Sequence, residues 1–423
     1  MGLKIAVVGG GSTYTPELVE GLAARADRLP LEELVLLDVD AERLQIVAGL
    51  AGRILARRGW SGRLTPTVDR SAALDGADFV VIQLRVGGQA ARLRDETIPP
   101  QFGCVGQETT GPGGFAKALR TVPVVLEIAE EAARRANPGA WLVNFTNPVG
   151  IVTQALLDDG HRALGLCNVA IGFQRRFARH FGVESGRVAL EHVGLNHLTW
   201  ERALRVDGVD RLPELLDRDG PAVAEEVGLP LELIRALGAI PSYYLHYYYA
   251  TADVLAEQAG GETRAEKVMA IERELLELYR DPLLDEKPAL LEQRGGAYYS
   301  EAAAQLIASL HDGAGDVQVV DVRNGGALPG IPDAAVVEIP AVIDRHGAHP
   351  GPLARLAPEM RGLVEHARGY EELAVQAAIS GDRRVALRAL LANPLVPDYR
   401  TASGLLDALL EANRARLPRF FPA

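Results

Sequence analysis

The stretch LKIAVVGGGSTYTPELVEGL, residues 3–22, decides the fold of this chain. Its first six residues form a short apolar run, which is typical of a strand buried on both faces of a parallel sheet. Three glycines follow, and the segment from Thr15 then carries Pro16 in its first turn, which predicts a helix. A strand, a glycine turn and a helix in this order predict the first unit of a dinucleotide-binding domain.

The glycine turn carries Gly9 and Gly11 in G-x-G spacing, but Tyr14 stands where the usual third glycine would be. Such a turn brings a pyrophosphate close to the N-terminus of the helix. Asp38 ends the next predicted strand, where an acid can bind a ribose hydroxyl and disfavours the extra phosphate of NADP. A glycine turn without a ligand is the alternative. The pattern favours NAD, bound by Gly9, Gly11, Ser12, Thr13 and Asp38.

Predicted strands and helices alternate through the first part of the chain. This alternation predicts an α/β fold, a Rossmann-type doubly wound parallel sheet. The pattern loosens after about residue 170, which indicates a second, mixed α+β domain. We therefore expect an NAD-binding domain over 1–170 and a domain for substrate, metal and oligomerisation over 171–423. Predicted strands cover 3–8, 31–40, 65–68, 77–84, 140–148, 189–206 and 317–322, and predicted helices cover 15–26, 41–59, 123–135, 263–281 and 352–380.

The composition narrows the class of protein. The 423 residues are 48% hydrophobic and 24% charged, as in an ordinary globular protein, and the net charge of −12 argues against a nucleic-acid partner. Two cysteines suit a reducing compartment. No apolar run approaches the roughly 20 residues that span a bilayer. We expect a cytoplasmic protein that binds neither nucleic acid nor membrane.

Cys167 and His197 are candidates for chemistry, but their spacing alone leaves their role open. A lone cysteine is a buried filler, a nucleophile or a metal ligand, and filler is the commonest of these. One Cys and one His make a poor structural zinc site, because that site needs four protein ligands. Two protein ligands do leave positions open for substrate oxygens, as a catalytic metal requires.

Three further segments carry polar residues in unusual density. GQETTGPGGF (106–115) is typical of an active-site loop, and NFTNPVG (144–150) ends a predicted strand at the ligand-binding edge of the sheet. IPSYYLHYYYATAD (240–253) contains five tyrosines within seven residues. Most of these tyrosines are expected to pack, although one could act as a base. Arg92 and Arg94 are surface residues by default and phosphate ligands if they face the glycine turn.

Taken together and in order, these segments resemble the glycoside hydrolase family 4 enzymes, the NAD- and metal-dependent phosphoglycosidases. The resemblance runs nearly from end to end. It is carried by GGGSTYTPELVEGL (9–22), LRDETIPPQFGCVGQETTGPGGF (93–115), NFTNPVGIVTQAL (144–156), LCNVAIGFQRR (166–176), GLNHLTW (194–200), IPSYYLHYYY (240–249), GETRAEKV (261–268) and NGGALPGIPDAAVVEIP (324–340).

The resemblance implies hydrolysis through a redox cycle rather than with two carboxylates. NAD⁺ takes hydride from C3 of the sugar, a divalent metal, usually Mn²⁺, polarises the ketone, and a tyrosine removes the C2 proton. The glycosidic oxygen then leaves, water adds, and the hydride returns. The implied second domain resembles the C-terminal domain of lactate and malate dehydrogenases.

The resemblance also assigns residues. Cys167 and His197 match the family's metal ligands, and Tyr244 matches the base, with Tyr243 as a competing neighbour. Asn147 and Glu108 match residues at the substrate. Two arginines match the family's ligands near the sugar phosphate or the reacting hydroxyls, and Arg94, Arg175 and Arg176 are competing candidates for the phosphate. The two matching arginines are Arg92 and Arg264.

Asn168, directly after the metal-binding cysteine, bears on the anomer. Family members acting on α-glycosides tend to have Asp there as general acid, and members acting on 6-phospho-β-glucosides tend to have Asn. Asn168 is therefore predicted as a catalytic and substrate-binding position of a β enzyme. Ala170 departs from the Pro that is common in the family, which puts the local loop geometry in doubt.

The expected substrate is a phosphorylated disaccharide or an aryl glucoside, and the family implies a homodimer or homotetramer. Three alternatives stay open. The same fold could serve an α-glycosidase or α-galacturonidase, a 2-hydroxy-acid dehydrogenase, or an NAD-sensing module without catalysis.

Overall fold

The computed structural model describes residues 2–296 and 298–422. Six parallel strands form one side of a large sheet in the order β3-β2-β1-β4-β5-β6, with β3 at the edge, which is the arrangement of a dinucleotide-binding domain. The strands β1 to β6 are Leu3–Val8, Leu31–Leu37, Arg63–Thr67, Phe79–Ile82, Trp141–Asn144 and Ala163–Gly165.

The first strand shows why the sequence favours this position. Ile5 and Val7 pack into the core on one face of the sheet, and Ala6 and Val8 pack into the core on the other face. A central strand that alternates between two dry faces needs an unbroken apolar run, which is what residues 3–8 supply. The predicted doubly wound sheet is confirmed.

Helices cover both faces of the large sheet. In the first part of the chain α1 to α7 are Thr15–Ala23, Ala41–Arg57, Arg70–Leu74, Gly88–Thr97, Gly111–Arg135, Val149–Asp158 and Val169–Phe181. In the later part α8 to α17 are Leu212–Val227, Leu231–Leu237, His246–Tyr249, Thr251–Gln258, Arg264–Tyr279, Leu290–Gln293, Tyr299–Asp312, Pro358–Ser380, Arg383–Leu391 and Tyr399–Ala412. Short 3₁₀ turns lie at Pro99–Phe102, Ser185–Arg187, Tyr243–Leu245 and Arg414–Arg416.

The later strands serve two sheets. Strands β7 to β10, at Val188–Leu195, Leu198–Val206, Val209–Asp210 and Ile240–Pro241, form a small antiparallel sheet. Strands β11 to β13, at Asp316–Arg323, Val336–Asp344 and Gly347–Pro350, extend the large sheet antiparallel beyond β6. The domain boundary near residue 170 stays a prediction. Among the described residues, no helix has the length and apolarity needed to cross a bilayer.

Helix α5 differs most from its sequence-based prediction. The expected helix begins at Pro123, but α5 begins at Gly111 and Pro123 lies inside it. All of residues 111–122 are buried, so tertiary packing offsets the hydrogen bond that an internal proline loses. The second half of the predicted loop 106–115 is therefore the first turn of a buried helix.

Candidate active site

The glycine turn lies at the carboxyl end of β1 and requires its glycines. Gly9 has a φ of +89°, and a Cβ there would stand 2.8 Å from the carbonyl oxygen of Gln83. The backbone N–H of Gly11 donates to Oδ2 of Asp38 at 2.9 Å. Asp38 is only half-buried, so the same carboxylate borders the place where a ribose is expected.

Tyr14, which replaces the third glycine, is buried and donates its hydroxyl to the carbonyl of Gly296. The guanidinium of Arg294 lies 5.7 Å from the centre of its ring. The tyrosine thus ties the turn to the segment before α14, a contact that a glycine could not make.

Sequence reasoning missed Glu272 on α12, which closes the turn from the other side. Its buried carboxylate accepts hydrogen bonds from Arg43 at 3.1 Å, Gln89 at 3.0 Å and Arg294 at 3.0 Å, and the hydroxyl of Thr13 lies 3.4 Å away. Thr13 itself is fully buried. Nothing in the sequence links residue 272 to residue 13, because only the fold places α12 over the turn.

Cys167 and His197 are brought together around Tyr244. Cys167 follows β6, and His197 stands in the two-residue turn between β7 and β8. The rings of His197 and Tyr244 stack with their centres 3.7 Å apart. The hydroxyl of Tyr299 lies 3.8 Å from Sγ of Cys167, and this residue was also missed by sequence reasoning.

The His197 ring fits a metal ligand. It is 3% exposed, yet among the described residues neither ring nitrogen has a hydrogen-bond partner, which is unusual for a buried imidazole. Burial lowers the pKa of His197 to about 4, so the ring is neutral near pH 7, and one of its two nitrogens has a free lone pair that can bind a metal. Burial raises the pKa of the Cys167 thiol well above its usual value, so a cation must displace its proton.

The protein supplies only part of a coordination sphere here. Across residues 2–296 and 298–422, no three His, Cys, Asp or Glu side chains converge as a closed metal site. A thiol and an imidazole with open positions beside them suit a divalent cation that also binds substrate oxygens.

Two tyrosines compete for the role of base, and they lie side by side. The ring centres of Tyr243 and Tyr244 are 4.8 Å apart, but only Tyr244 stacks on His197. Burial raises the pKa of Tyr244 well above its usual value of 10.0. A hydroxyl in this position becomes a base only when a positive charge is placed beside it.

Glu108 forms the centre of a buried charged cluster next to this group. It accepts hydrogen bonds from Lys117 at 2.6 Å and from Arg85, and it forms an ion pair with Arg92 at 3.3 Å. Burial alone would raise the pKa of Glu108, but these three cations hold it well below its usual value. Burial and the charge of Arg85 lower the pKa of Lys117 to about 7. Arg85 follows β4 at the carboxyl edge, so its position is a signal that sequence reasoning could have used.

The competing arginines have different surroundings. Arg92 pairs with Glu96 at 2.7 Å, whereas Arg264 donates to the carbonyls of Gln293 and Arg294, both at 2.9 Å. Arg94 donates to a main-chain carbonyl at the far end of the chain. Arg175 and Arg176 are ion-paired with acids of neighbouring helices.

The strand ends bring two asparagines to the same edge. Asn147 follows β5, precedes a cis bond to Pro148, and has a buried Oδ1 that meets no hydrogen-bond partner within residues 2–296 and 298–422. Asn168 stands between Cys167 and α7 and borders a small pocket that Tyr243 also lines. Ala170 is buried in the first turn of α7, where its side chain leaves the helix regular.

Comparison with known proteins is consistent with these features. A lactate dehydrogenase from a Medee basin deep-sea metagenome library shares the fold alone, with a TM-score of 0.57 at 14% identity over 89% of this chain and 99% of that one. The predicted likeness of the second domain to dehydrogenases is thereby confirmed.

Much closer similarity covers the whole chain. The probable 6-phospho-beta-glucosidase of Bacillus subtilis is 45% identical over 99% of this chain and 98% of its own length. The 6-phospho-beta glucosidase from Thermotoga maritima, solved with manganese, NAD+ and glucose-6-phosphate, has a TM-score of 0.92 at 34% identity, over 98% of this chain and 99% of that one. The family model described as Family 4 glycosyl hydrolase matches residues 4–183, and that of its C-terminal domain matches residues 192–396. The chain belongs to the family 4 glycosyl hydrolases.

Proposed function

We propose that this protein hydrolyses 6-phospho-β-glucosides with NAD and a divalent metal, Mn²⁺ or a related ion. The observation that carries the proposal is the convergence of three features at one edge of the sheet. These are the glycine turn at Gly9–Gly11, the Cys167 thiol, whose charge when ionised is felt by Tyr244, and the His197 imidazole, which stacks on Tyr244 and has no hydrogen-bond partner among the described residues. The 6-phospho-β-glucosidases among the relatives, and their NAD and manganese, agree with it.

Each cofactor has residues that fit it. Gly9, Gly11, Ser12 and Asp38 would hold the dinucleotide, and Cys167 with His197 would hold the metal. When bound, the two cofactors supply reversible hydride transfer at C3 and Lewis-acid polarisation.

The protein's own contribution to the chemistry is proton transfer and positioning. Tyr244 would take the C2 proton with its phenolate oxygen, because its ring is fixed against His197 and a cation beside that ring would lower the pKa of the phenol so that it ionises. Asn147, whose Oδ1 is buried without a partner, would bind a sugar hydroxyl. Glu108 would also bind a sugar hydroxyl, and it would stay ionised because Arg85 and Lys117 are paired with its carboxylate.

The phosphate group would lie between Arg92 and Arg264. The positive charges of the two guanidinium groups favour an anion between them. The carboxylate of Glu96 interacts with the charge of both arginines. Arg264 lacks a carboxylate partner within hydrogen-bond distance among the residues described, which leaves its charge for a ligand. Arg92 is ion-paired too, with Glu96 and Glu108, but burial and the nearby charge of Arg92 together lower the pKa of Arg264. Arg175 and Arg176 are instead paired with acids of α14 and α8, so Arg92 is the better partner for Arg264.

A direct assay tests the proposal. 4-Nitrophenyl 6-phospho-β-glucoside should be cleaved with NAD⁺ and Mn²⁺ present, and the activity should disappear when either is removed. A substrate deuterated at C2 should react more slowly if proton removal limits turnover. Equal cleavage without both cofactors would contradict the proposal.

Two controls separate it from the alternatives. The α-linked and the unphosphorylated glucosides should be poor substrates, and Arg264→Gln should raise KM for the phosphorylated substrate more than it lowers kcat. Absorbance at 340 nm should show no net NADH, whereas a 2-hydroxy-acid dehydrogenase would accumulate it. A cytoplasmic location, an aryl glucoside as natural substrate, and a homodimer or homotetramer stay predictions.

A further inference from the structure

The two proposed metal ligands come from different sheets. Cys167 follows β6 of the large sheet, whereas His197 stands in the β7–β8 turn of the small sheet. The distance between the thiol and the imidazole therefore depends on what joins the two sheets at this point.

A buried row of three polar side chains makes that junction. Glu338 lies on β12 of the large sheet, and its Oε1 is 2.8 Å from Nε2 of His192 on β7. Nδ1 of His192 is 2.6 Å from Oε1 of Glu201, its cross-strand partner on β8. All three side chains are at most 1% exposed. Such a dry contact fixes its members more tightly than a surface ion pair would.

The other oxygen of Glu338 reaches the turn itself. Nδ2 of Asn196 donates to Oε2 of Glu338 at 2.8 Å. Asn196 directly precedes His197, whose φ of +64° costs a non-glycine residue about 1–2 kcal/mol. The ring nitrogens of His197 find no partner in the part of the chain that the structure describes, so the hydrogen bond of the neighbouring Asn196 is the side-chain contact that supports the turn.

Charge explains why Glu338 is a firm anchor. Although burial alone would lower the pKa of His192, Glu201 and Glu338 raise it to about 10. His192 is therefore an imidazolium and donates from both ring nitrogens, whereas a neutral ring could donate from only one. Glu338 is thus held by a charged hydrogen bond on one oxygen while the other oxygen receives Asn196.

We propose that Glu338 and Asn196 are positioning residues of the metal site, which set the place of His197 relative to Cys167. The inference rests on the proposed assignment of Cys167 and His197 as ligands. If Glu338 and Asn196 had a purely structural role, removing their contacts would lower the stability of the protein but would leave its affinity for Mn²⁺ unchanged. Partners that orient metal ligands in this way typically change metal affinity about 10- to 100-fold when they are removed.

The test measures Mn²⁺ binding by calorimetry, with MnCl₂ titrated into full-length protein saturated with NAD⁺ and glucose 6-phosphate. Asn196→Ala removes the anchor without touching His192, and its Kd for Mn²⁺ should rise about 10- to 100-fold. Its kcat should recover at saturating Mn²⁺. Glu338→Gln should raise Kd by at least as much, and if that variant fails to fold, Asn196→Ala decides.

Asn324→Ala is the matched control. Asn324 is also a buried asparagine, and it donates to the carbonyls of Leu328 and Ile331, far from the turn in sequence. This variant should lower Tm while its Kd for Mn²⁺ stays within twofold of the wild type.

His197→Ala separates the two claims, namely that His197 is a metal ligand and that Glu338 and Asn196 position it. If it abolishes Mn²⁺ binding while Asn196→Ala and every folded Glu338→Gln sample keep the wild-type Kd, the positioning role is overturned and the ligand assignment stands. If His197→Ala itself keeps the wild-type Kd, the ligand assignment is overturned and the positioning role with it.

Discussion

The glycine turn after β1 and the turn between β7 and β8 both use left-handed backbone conformations, but they reach them differently. Gly9 adopts a φ of +89° at no steric cost, because it has no Cβ. His197 adopts a φ of +64° with a full side chain, and buried hydrogen bonds of its neighbour support it. The first turn is specified locally by residue type, whereas the second is imposed by tertiary contacts.

The largest expected effect concerns Tyr244, whose ring stacks on His197 in the β7–β8 turn. Tyr244→Phe keeps the stack but removes the hydroxyl, so kcat should fall about 100- to 10,000-fold, the usual contribution of a general base. Mn²⁺ affinity should stay unchanged. Tyr243→Phe is the control and should lose little activity. The reverse ranking in steady-state kinetics would make Tyr243 the base.

The glycine turn should break through sterics instead. Gly9→Ala adds a Cβ 2.8 Å from the Gln83 carbonyl oxygen at a positive φ. We therefore expect the free energy of unfolding to fall by about 3 kcal/mol and NAD binding to weaken as well. Gly59 has a φ of +72° with nothing within 4 Å of such a Cβ. Gly59→Ala should therefore cost only about 1 kcal/mol in urea denaturation. Equal losses would mean that φ alone, and not the clash, dominates.

The β7–β8 turn, unlike the glycine turn, is supported through Glu338 by the buried imidazolium of His192. The stability of its surroundings should therefore depend on pH. The raised pKa of His192, about 10 when folded against 6.5, stabilises the fold fully below pH 6.5. That contribution declines as pH rises and is lost once pH passes about 10. The free energy of unfolding of the wild type should therefore fall more steeply between pH 7 and 9.5 than that of His192→Gln, by up to about 1.4 kcal/mol per pH unit. Parallel urea-denaturation curves would exclude a charged His192.

The smallest expected effect is the strain at His197 itself. Without metal, His197→Gly should be about 1 kcal/mol more stable than His197→Ala, because glycine accepts the left-handed conformation. Both variants should lose Mn²⁺ binding equally. If Ala and Gly variants unfold at the same urea concentration, the turn carries no strain.

The sequence predicted the parallel sheet well because its signals are local. Residues 3–8 alternate between two buried faces, and the glycines and Asp38 follow at the strand ends where such folds bind ligands. The prediction failed at the start of α5, where Pro123 is a sound local signal for a first turn that burial of residues 111–122 overrides. Local rules cannot weigh packing that arises only in the folded chain.

By itself, the sequence determined the fold class, the family and the candidate pair Cys167 and His197. Only the tertiary structure placed Tyr244 rather than Tyr243 against the imidazole, set Glu272 over the glycine turn, and connected Glu338 to Asn196. These contacts join residues up to 259 positions apart, such as Thr13 and Glu272. Residue type and short spacing decide backbone conformation, but the partner of a buried polar group is decided by which elements the folded core brings together.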